Sequence, residues 1–115
     1  MTTTTGAGEL LAVLAGLGVR PAGAELTAVQ FSTAFCGPCR ATRARLQHLQ
    51  RSRPGFRTLQ VDAESHLDAV RALQVRATPT VIWVDGRGTP VARTTGAPSV
   101  AELTALVDAH TAAPR

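Results

Sequence analysis

The distribution of apolar residues along the 115-residue chain predicts strands and helices in alternation. Leu26–Phe31 is rich in apolar and β-branched residues, which is typical of a strand, whereas Arg40–Gln50 contains neither Gly nor Pro and is typical of a helix. Phe56–Asp62 predicts a second strand, and apolar residues recur at helical spacing within 67–73. The first half of the chain therefore predicts a β-α-β-α succession.

The second half of the chain predicts a hairpin followed by a helix. Pro79–Val84 is a nearly continuous apolar run, which suits a central strand covered on both faces, and residues 85–88 carry turn signals. Pro90–Thr95 then predicts an edge strand, where proline is tolerated. Ser99 and Glu102 have the spacing of a capping box ahead of a final helix. The pattern predicts an α/β fold, a central mixed sheet of four to five strands with helices on both faces.

The N-terminal segment has two interpretations. Residues 10–19 are apolar and predict an amphipathic helix, from about Glu9 to Leu17, that packs on the sheet. The alternative is a signal peptide, since Ala22-Gly23-Ala24 has the small residues of a cleavage site. The preceding residues carry no Lys or Arg and include an acidic residue, which disfavours a signal peptide. About ten apolar residues are also too few to span a bilayer.

Length and composition predict one small cytoplasmic domain. We expect residues 1–115 to form a single domain in which 1–8 are disordered, because this length is ordinary for one hydrophobic core. Two cysteines are too few for a disulfide scaffold, and cytoplasmic dithiols are kept reduced. Three Phe, one Trp and no Tyr offer few stacking platforms, so we expect no nucleic-acid binding.

The most informative motif is Cys36-Gly37-Pro38-Cys39, at the predicted junction of a strand and a helix. A helix N-terminus favours negative charge, so we expect the pKa of the Cys36 thiol to lie below its free value of about 8.5. Pro38 suits the first helical turn, and Gly37 allows a tight turn. The spacing brings Cys39 onto the same face, close enough for a disulfide with Cα atoms roughly 5.5 Å apart. The motif predicts a redox-active dithiol.

Two other interpretations concern the surroundings of the motif. The cysteines could be half of a zinc site, but His48, His66 and His110 show no metal-ligand spacing with them, so we expect no metal. A basic stretch follows the motif, which either attracts acidic partners and favours the thiolate or forms a solvated face. Its members are Arg40, Arg43, Arg45, Arg51, Arg53 and Arg57.

The chain resembles the thioredoxin family over roughly Leu26 to Val107. Besides the cysteine motif, Val75–Val81 matches the family's turn and active-site cis-proline, which falls on Pro79, and Leu59–Asp62 matches its third strand. Gly96-Ala97 resembles the Gly-Ala before the family's last helix. The resemblance implies the thioredoxin fold and a cis Thr78–Pro79 bond.

The chain departs from the family pattern at several positions. Phe35 replaces the Trp before the first cysteine, and Gln30 replaces a buried Asp thought to assist deprotonation of the second. Thr58 stands where the family has the Lys partner of that Asp. Ala44 replaces a kinking proline, so we expect a straighter helix. Because Gln cannot act as a base, we expect slower resolution of mixed disulfides.

The resemblance implies an enzyme that reduces protein disulfides. Cys36 attacks the substrate disulfide and Cys39 resolves the mixed disulfide, with Phe35, Gly37, Pro38 and Gln30 as supporting residues. The family's substrate-binding positions fall on Thr78, Pro79 and Gly96. We expect a monomer without cofactor or membrane span, and electrons from a flavin-containing thioredoxin reductase. The alternatives are a redox-sensing or partner-binding module with little turnover, and a secreted or membrane-associated thiol-redox maturation factor.

Overall fold

A computed structural model describes residues 7–111, in which helices and strands alternate up to a final hairpin and helix. Two short 3-10 helices, Pro21–Gly23 and Ala63–Ser65, precede β1 and follow β2. The main elements are α1 (Ala7–Gly16), β1 (Leu26–Ser32), α2 (Gly37–Ser52), β2 (Phe56–Asp62), α3 (Leu67–Ala72), β3 (Thr80–Asp85), β4 (Pro90–Thr95) and α4 (Val100–His110).

The described strands form one mixed sheet of four strands in the order β2-β1-β3-β4. β1 pairs in parallel with β2 and antiparallel with β3, and β4 pairs antiparallel with β3. The prediction of a mixed sheet with an edge strand over Pro90–Thr95 is confirmed. Pro90 lies opposite Val84 beside a register shift, and a proline without an N–H suits such a position.

Two hydrophobic cores cover the two faces of the sheet. On one face, α1 packs through Leu10 and Leu14 in the cluster that contains Phe31. On the other, α2 and α4 pack against Trp83, whose ring stacks on Phe56 with centroids 5.9 Å apart. The indole N–H of Trp83 donates to the hydroxyl of Thr94, so its buried polar atom is satisfied. The predicted helices on both faces are confirmed.

The ends of the helices follow local signals in the sequence. The predicted capping box of α4 is present, since the Ser99 hydroxyl accepts from the Glu102 N–H and the Glu102 carboxylate accepts from the Ser99 N–H. α1 begins at Ala7, so of the segment 1–8 predicted as disordered, residues 1–6 lie outside the described residues. None of the helices within 7–111 is long and apolar enough to cross a membrane.

Candidate functional site

The cysteine pair lies at the junction between β1 and α2. Cys36 is the N-cap residue and the helix begins at Gly37, so the prediction that the cysteine motif opens the helix, with Pro38 in the first turn, is confirmed. The two cysteines form a disulfide with Cα atoms 5.2 Å apart, and the backbone N–H of Cys39 donates to the sulfur of Cys36 at 3.2 Å. Backbone donors at a helix N-terminus favour negative charge on an atom in that position. This is the arrangement that stabilises a thiolate on Cys36 when the pair is reduced.

The two sulfurs differ in their access to solvent. Cys39 is 4% exposed and lies against the sheet, whereas Cys36 is half-buried and borders the surface. An incoming disulfide therefore meets Cys36 first, and Cys39 lies behind it.

The turn that leads into the helix is made by Phe35. Its φ is 59°, in the left-handed region that bulky residues rarely adopt, and its side chain is 96% exposed. The expected tight turn at Gly37 is wrong: Gly37 is the first helical residue and is not among the residues with positive φ. Glycine is the usual residue for such a turn, which is why the sequence pattern favours Gly37. Here the strained backbone presents an exposed aromatic ring beside the sulfurs.

A second loop borders the sulfurs from the β3 side. The Thr78–Pro79 peptide bond is cis, as predicted, and the Thr78 carbonyl oxygen lies 4.0 Å from the sulfur of Cys36. The hydroxyls of Thr78 and Thr33 share a hydrogen bond of 3.3 Å, which joins this loop to the one before the helix. Gly96, with φ 71°, donates its N–H to the Pro79 carbonyl at 3.0 Å. The three predicted substrate-binding positions thus meet at one place beside Cys36.

Gln30 is fully buried beneath the second cysteine. Its side-chain amide donates to the Cys39 carbonyl at 2.9 Å and to the Ser32 hydroxyl at 3.0 Å. Its side-chain oxygen accepts from the amide of Gln60 at 3.0 Å. These three hydrogen-bond partners of Gln30 are neutral. The amide therefore orders the residues beneath Cys39 without supplying a general base for its thiol.

Gln60 is a site residue that no sequence motif marks, whereas the strand register identifies it. In the parallel pairing of β1 with β2, Gln60 stands opposite Gln30, and Thr58 stands opposite Ala28. Within residues 7–111, Thr58 forms no hydrogen bond with Gln30: its N–H donates to the Gln50 side chain, and its buried hydroxyl has no hydrogen-bond partner there. The residue that replaces the ionic partner in this chain is therefore Gln60.

A cleft of about 210 Å³ opens beside the disulfide on the β2 side of the site. We call it the arginine cleft, because Arg40 and Arg43 of α2 form one of its walls. Its lining also includes Ser32, Cys36, Cys39 and Gln60.

One carboxylate at this end of the sheet, that of Asp62, accepts local hydrogen bonds. Asp62 stands opposite Ser32 at the ends of β2 and β1. The Ser65 hydroxyl and then the Glu64 N–H donate to its carboxylate, and both lower the pKa of Asp62.

The three histidines, His48, His66 and His110, are exposed. Within residues 7–111, no group of three or more His, Cys, Asp or Glu side chains could hold a metal ion.

Comparison with known proteins gives one consistent family. A sequence profile described as a thioredoxin-like domain matches residues 19–111. Thioredoxin Asp f 28 of Aspergillus fumigatus is 33% identical over 60 residues, which cover 51% of this chain and 56% of that protein. The chain thus spans about half the length of the curated relatives it matches.

Solved structures extend the similarity over most of the fold. Fasciola hepatica thioredoxin superposes with a TM-score of 0.69 at 24% identity, covering 91% of this chain and 94% of that one. Thioredoxin f2 of Chlamydomonas reinhardtii superposes with a TM-score of 0.66 at 31% identity, covering 76% of this chain and 80% of that one. The arrangement of the mixed sheet and its helices is therefore the thioredoxin fold.

Proposed function

Because this chain belongs to the family of thioredoxin-like domains, we propose that it reduces disulfide bonds of proteins through a dithiol–disulfide cycle of Cys36 and Cys39. The family and the close cysteine pair make the chain a thiol–disulfide oxidoreductase in kind. The observation that carries the finer proposal is the asymmetry of the pair. One sulfur is accessible and accepts a backbone N–H at a helix start, and the other is buried behind it.

The cycle begins with Cys36 as a thiolate. Its sulfur attacks one sulfur of the substrate disulfide, which breaks that bond, forms a mixed disulfide and releases the other substrate sulfur, which takes up a proton. Cys39 then loses its proton and attacks Cys36, closing the Cys36–Cys39 disulfide and releasing the second substrate thiol. Two electrons and two protons pass to the substrate, and the protein ends in the oxidised form seen in the structure.

The substrate segment that carries the disulfide lies against the loop of Thr78 and Pro79 and the adjacent Gly96. Their closeness to the Cys36 sulfur supports this assignment, since the Thr78 carbonyl is a backbone acceptor at the point of attack. The exposed ring of Phe35, beside Gly37 and Pro38, offers apolar surface on the approach to the sulfur. Gln30 supports the site from below through the Cys39 carbonyl.

A partner must return the electrons, because the cycle consumes two per turnover. We propose a flavin-containing thioredoxin reductase as the donor, with this chain acting as a cytoplasmic monomer that needs no cofactor of its own. The chemistry requires only the two sulfurs and a reductant of lower potential.

The test is the turnover of insulin disulfides with dithiothreitol as reductant. The unmutated protein accelerates reduction, and Cys36→Ser loses the acceleration completely. Cys39→Ser, reduced beforehand and freed of dithiothreitol, forms a mixed disulfide with insulin that it cannot resolve, and mass spectrometry identifies this species. Acceleration by Cys36→Ser, or a lack of acceleration by the unmutated protein, would overturn the proposal.

A redox-sensing module with little turnover is the second candidate, and the neutral environment of Cys39 favours it. In that case the disulfide forms and is reduced reversibly, but insulin reduction does not exceed that by dithiothreitol alone. A secreted maturation factor would instead be distinguished by a processed N-terminus, read by mass spectrometry of the protein isolated from its source.

A further inference from the structure

The arginines of this chain fall into two groups by their contacts. Several have their guanidinium groups engaged within the fold, and these contacts hold loops and helix ends together. Arg45 donates to the Pro98 carbonyl, Arg53 pairs with Asp108, Arg57 donates to the Arg20 carbonyl and Arg93 donates to the Leu73 carbonyl.

Arg40 and Arg43 belong to the other group. Both are exposed, and within residues 7–111 their side chains form no hydrogen bond or ion pair. Spaced three residues apart, they lie on the same face of α2 and line the cleft that reaches Cys36 and Cys39. Two unpartnered cations are thus aimed at the space next to the reacting sulfurs.

Among the residues that the structure describes, none that lines the arginine cleft carries a negative charge. No lining residue is acidic, and α2 itself contains no Asp or Glu. The other polar lining groups include Ser32 and Gln60, which are neutral. A guanidinium binds a carboxylate through two parallel hydrogen bonds, which makes an acidic side chain the complementary occupant.

We propose that the arginine cleft selects substrates in which Glu or Asp flanks the disulfide cysteine, through contacts of Arg40 and Arg43 with that carboxylate. The inference rests on the proposed reduction of protein disulfides. The Thr78–Pro79 loop borders Cys36 from the β3 side, and the cleft lies on the β2 side. A segment attacked at its disulfide can therefore contact that loop while its acidic neighbour enters the cleft.

The size of the expected preference for an acidic substrate follows from the exposure of the two arginines. Exposed charge pairs contribute modestly, so two of them give a preference of about threefold to tenfold for an acidic over a neutral substrate. The preference acts on encounter and docking, so salt weakens it.

The experiment uses two synthetic peptides that each contain one disulfide and differ only in Glu or Gln beside the cysteines. The pre-reduced protein is mixed with each peptide, and single-turnover rate constants are measured. The ratio of the acidic to the neutral rate constant cancels any change in the nucleophilicity of Cys36. The unmutated protein gives a ratio of about three to ten, and the double variant Arg40→Gln, Arg43→Gln gives a ratio near one.

Arg51→Gln is the matched control, because it removes the same charge from the last turn of α2, outside the cleft. It keeps the ratio of the unmutated protein. As a measurement independent of any variant, raising the ionic strength to about 1 M, where the Debye length is about 3 Å, lowers the ratio toward one.

A ratio near one in the unmutated protein at low salt would overturn the inference while leaving the proposed function intact. An equal loss in Arg51→Gln would also overturn it, since the preference would then come from net charge. Failure of the unmutated protein to reduce either peptide would instead overturn the proposed function, and the inference with it.

Discussion

At the scale of single residues, the two cysteines have the same side chain and different surroundings. Cys36 caps α2 and accepts the Cys39 N–H, and Cys39 is buried against the sheet. The difference arises from position along the helix, because only the residue at the N-cap receives the unpaired amides of the first turn. The proposed roles of Cys36 as attacking thiol and Cys39 as resolving thiol rest on this difference.

We predict that Cys36 is alkylated faster than Cys39 in the reduced protein near neutral pH. The backbone N–H groups at the helix N-terminus favour a thiolate on Cys36, and burial protects Cys39 from the reagent. The measurement is pH-dependent iodoacetamide labelling followed by peptide mapping. Faster modification of Cys39 would reverse the assigned roles.

Gln30 distinguishes this site from the thioredoxin pattern, in which a buried Asp occupies the matching position. Its amide is held by the Cys39 carbonyl, Ser32 and Gln60, so it orders the site without taking up a proton. The proton of Cys39 must pass to solvent or to a group outside this network. We therefore expect resolution of the mixed disulfide to be slower than the first attack.

We predict that Gln30→Asp speeds resolution, since a carboxylate beneath Cys39 can act as a general base. Such assistance is typically worth about 10²-fold or more, and we expect part of it, because Thr58 supplies no cationic partner. The variant loses two donated hydrogen bonds and buries a charge, so its thermal unfolding midpoint falls. Stopped-flow measurement of mixed-disulfide decay checks the rate.

Gln30→Asn is the matched control, because it has the shape of Asp and remains neutral. Resolution in Gln30→Asn stays slow while Gln30→Asp is faster. Equal rate constants in the two folded variants would mean that another group already serves as the base.

At the scale of elements, α2 carries the site at its first turn and is held to α4 at its end. Arg53, which follows the helix, donates to both carboxylate oxygens of Asp108, at 2.8 Å and 3.2 Å. Its hydrogen bond is the main cause that lowers the pKa of Asp108, and the same contact raises the pKa of Arg53. This pair links two helices that pack on the same face of the sheet.

We predict that Asp108→Asn lowers the thermal unfolding midpoint slightly near neutral pH and that the difference vanishes in acid. Because the pKa of Asp108 is lowered in the folded protein, its contribution is present above the unfolded value of 3.8. It is lost as the pH falls through the lower, folded value. Both groups are solvated, so the effect is small.

A double-mutant cycle with Arg53→Gln separates the interaction energy of the pair from the effect of each single substitution. In the Arg53→Gln background, Asp108→Asn causes no further loss of stability, since the contact between the two side chains is already absent. A difference between the unmutated protein and Asp108→Asn that stays constant from neutral pH into acid would contradict this account.

At the scale of the whole molecule, regular patterns in the sequence predict the fold well. Phe56–Asp62 and Pro90–Thr95 form strands with the predicted bounds, because each combines suitable residues with turn signals at its ends. α1 begins at Ala7, ahead of the predicted Glu9, whereas α2 begins directly after Cys36, as the cysteine motif predicts. Helix starts depend on capping geometry, which spacing alone does not give.

The candidate site was predictable where one motif contains the residues and less so where strands bring them together. Cys36 and Cys39 are read directly from their spacing. The contact of Gln30 with Gln60 depends on the register between two strands, which a single sequence does not specify. The turn at Phe35 was missed because tertiary structure overrides the local preference for glycine.

The central claim is that the chain works as a reductase, and the reduction potential of the Cys36–Cys39 pair tests it most directly. The oxidised protein is equilibrated with glutathione buffers or dithiothreitol buffers of known ratio, and the dithiol fraction is measured by alkylation and mass spectrometry. We predict a potential near that of thioredoxin, about −270 mV, which drives electrons toward disulfides of higher potential. A potential near about −120 mV, typical of a strong thiol oxidant, would contradict the account.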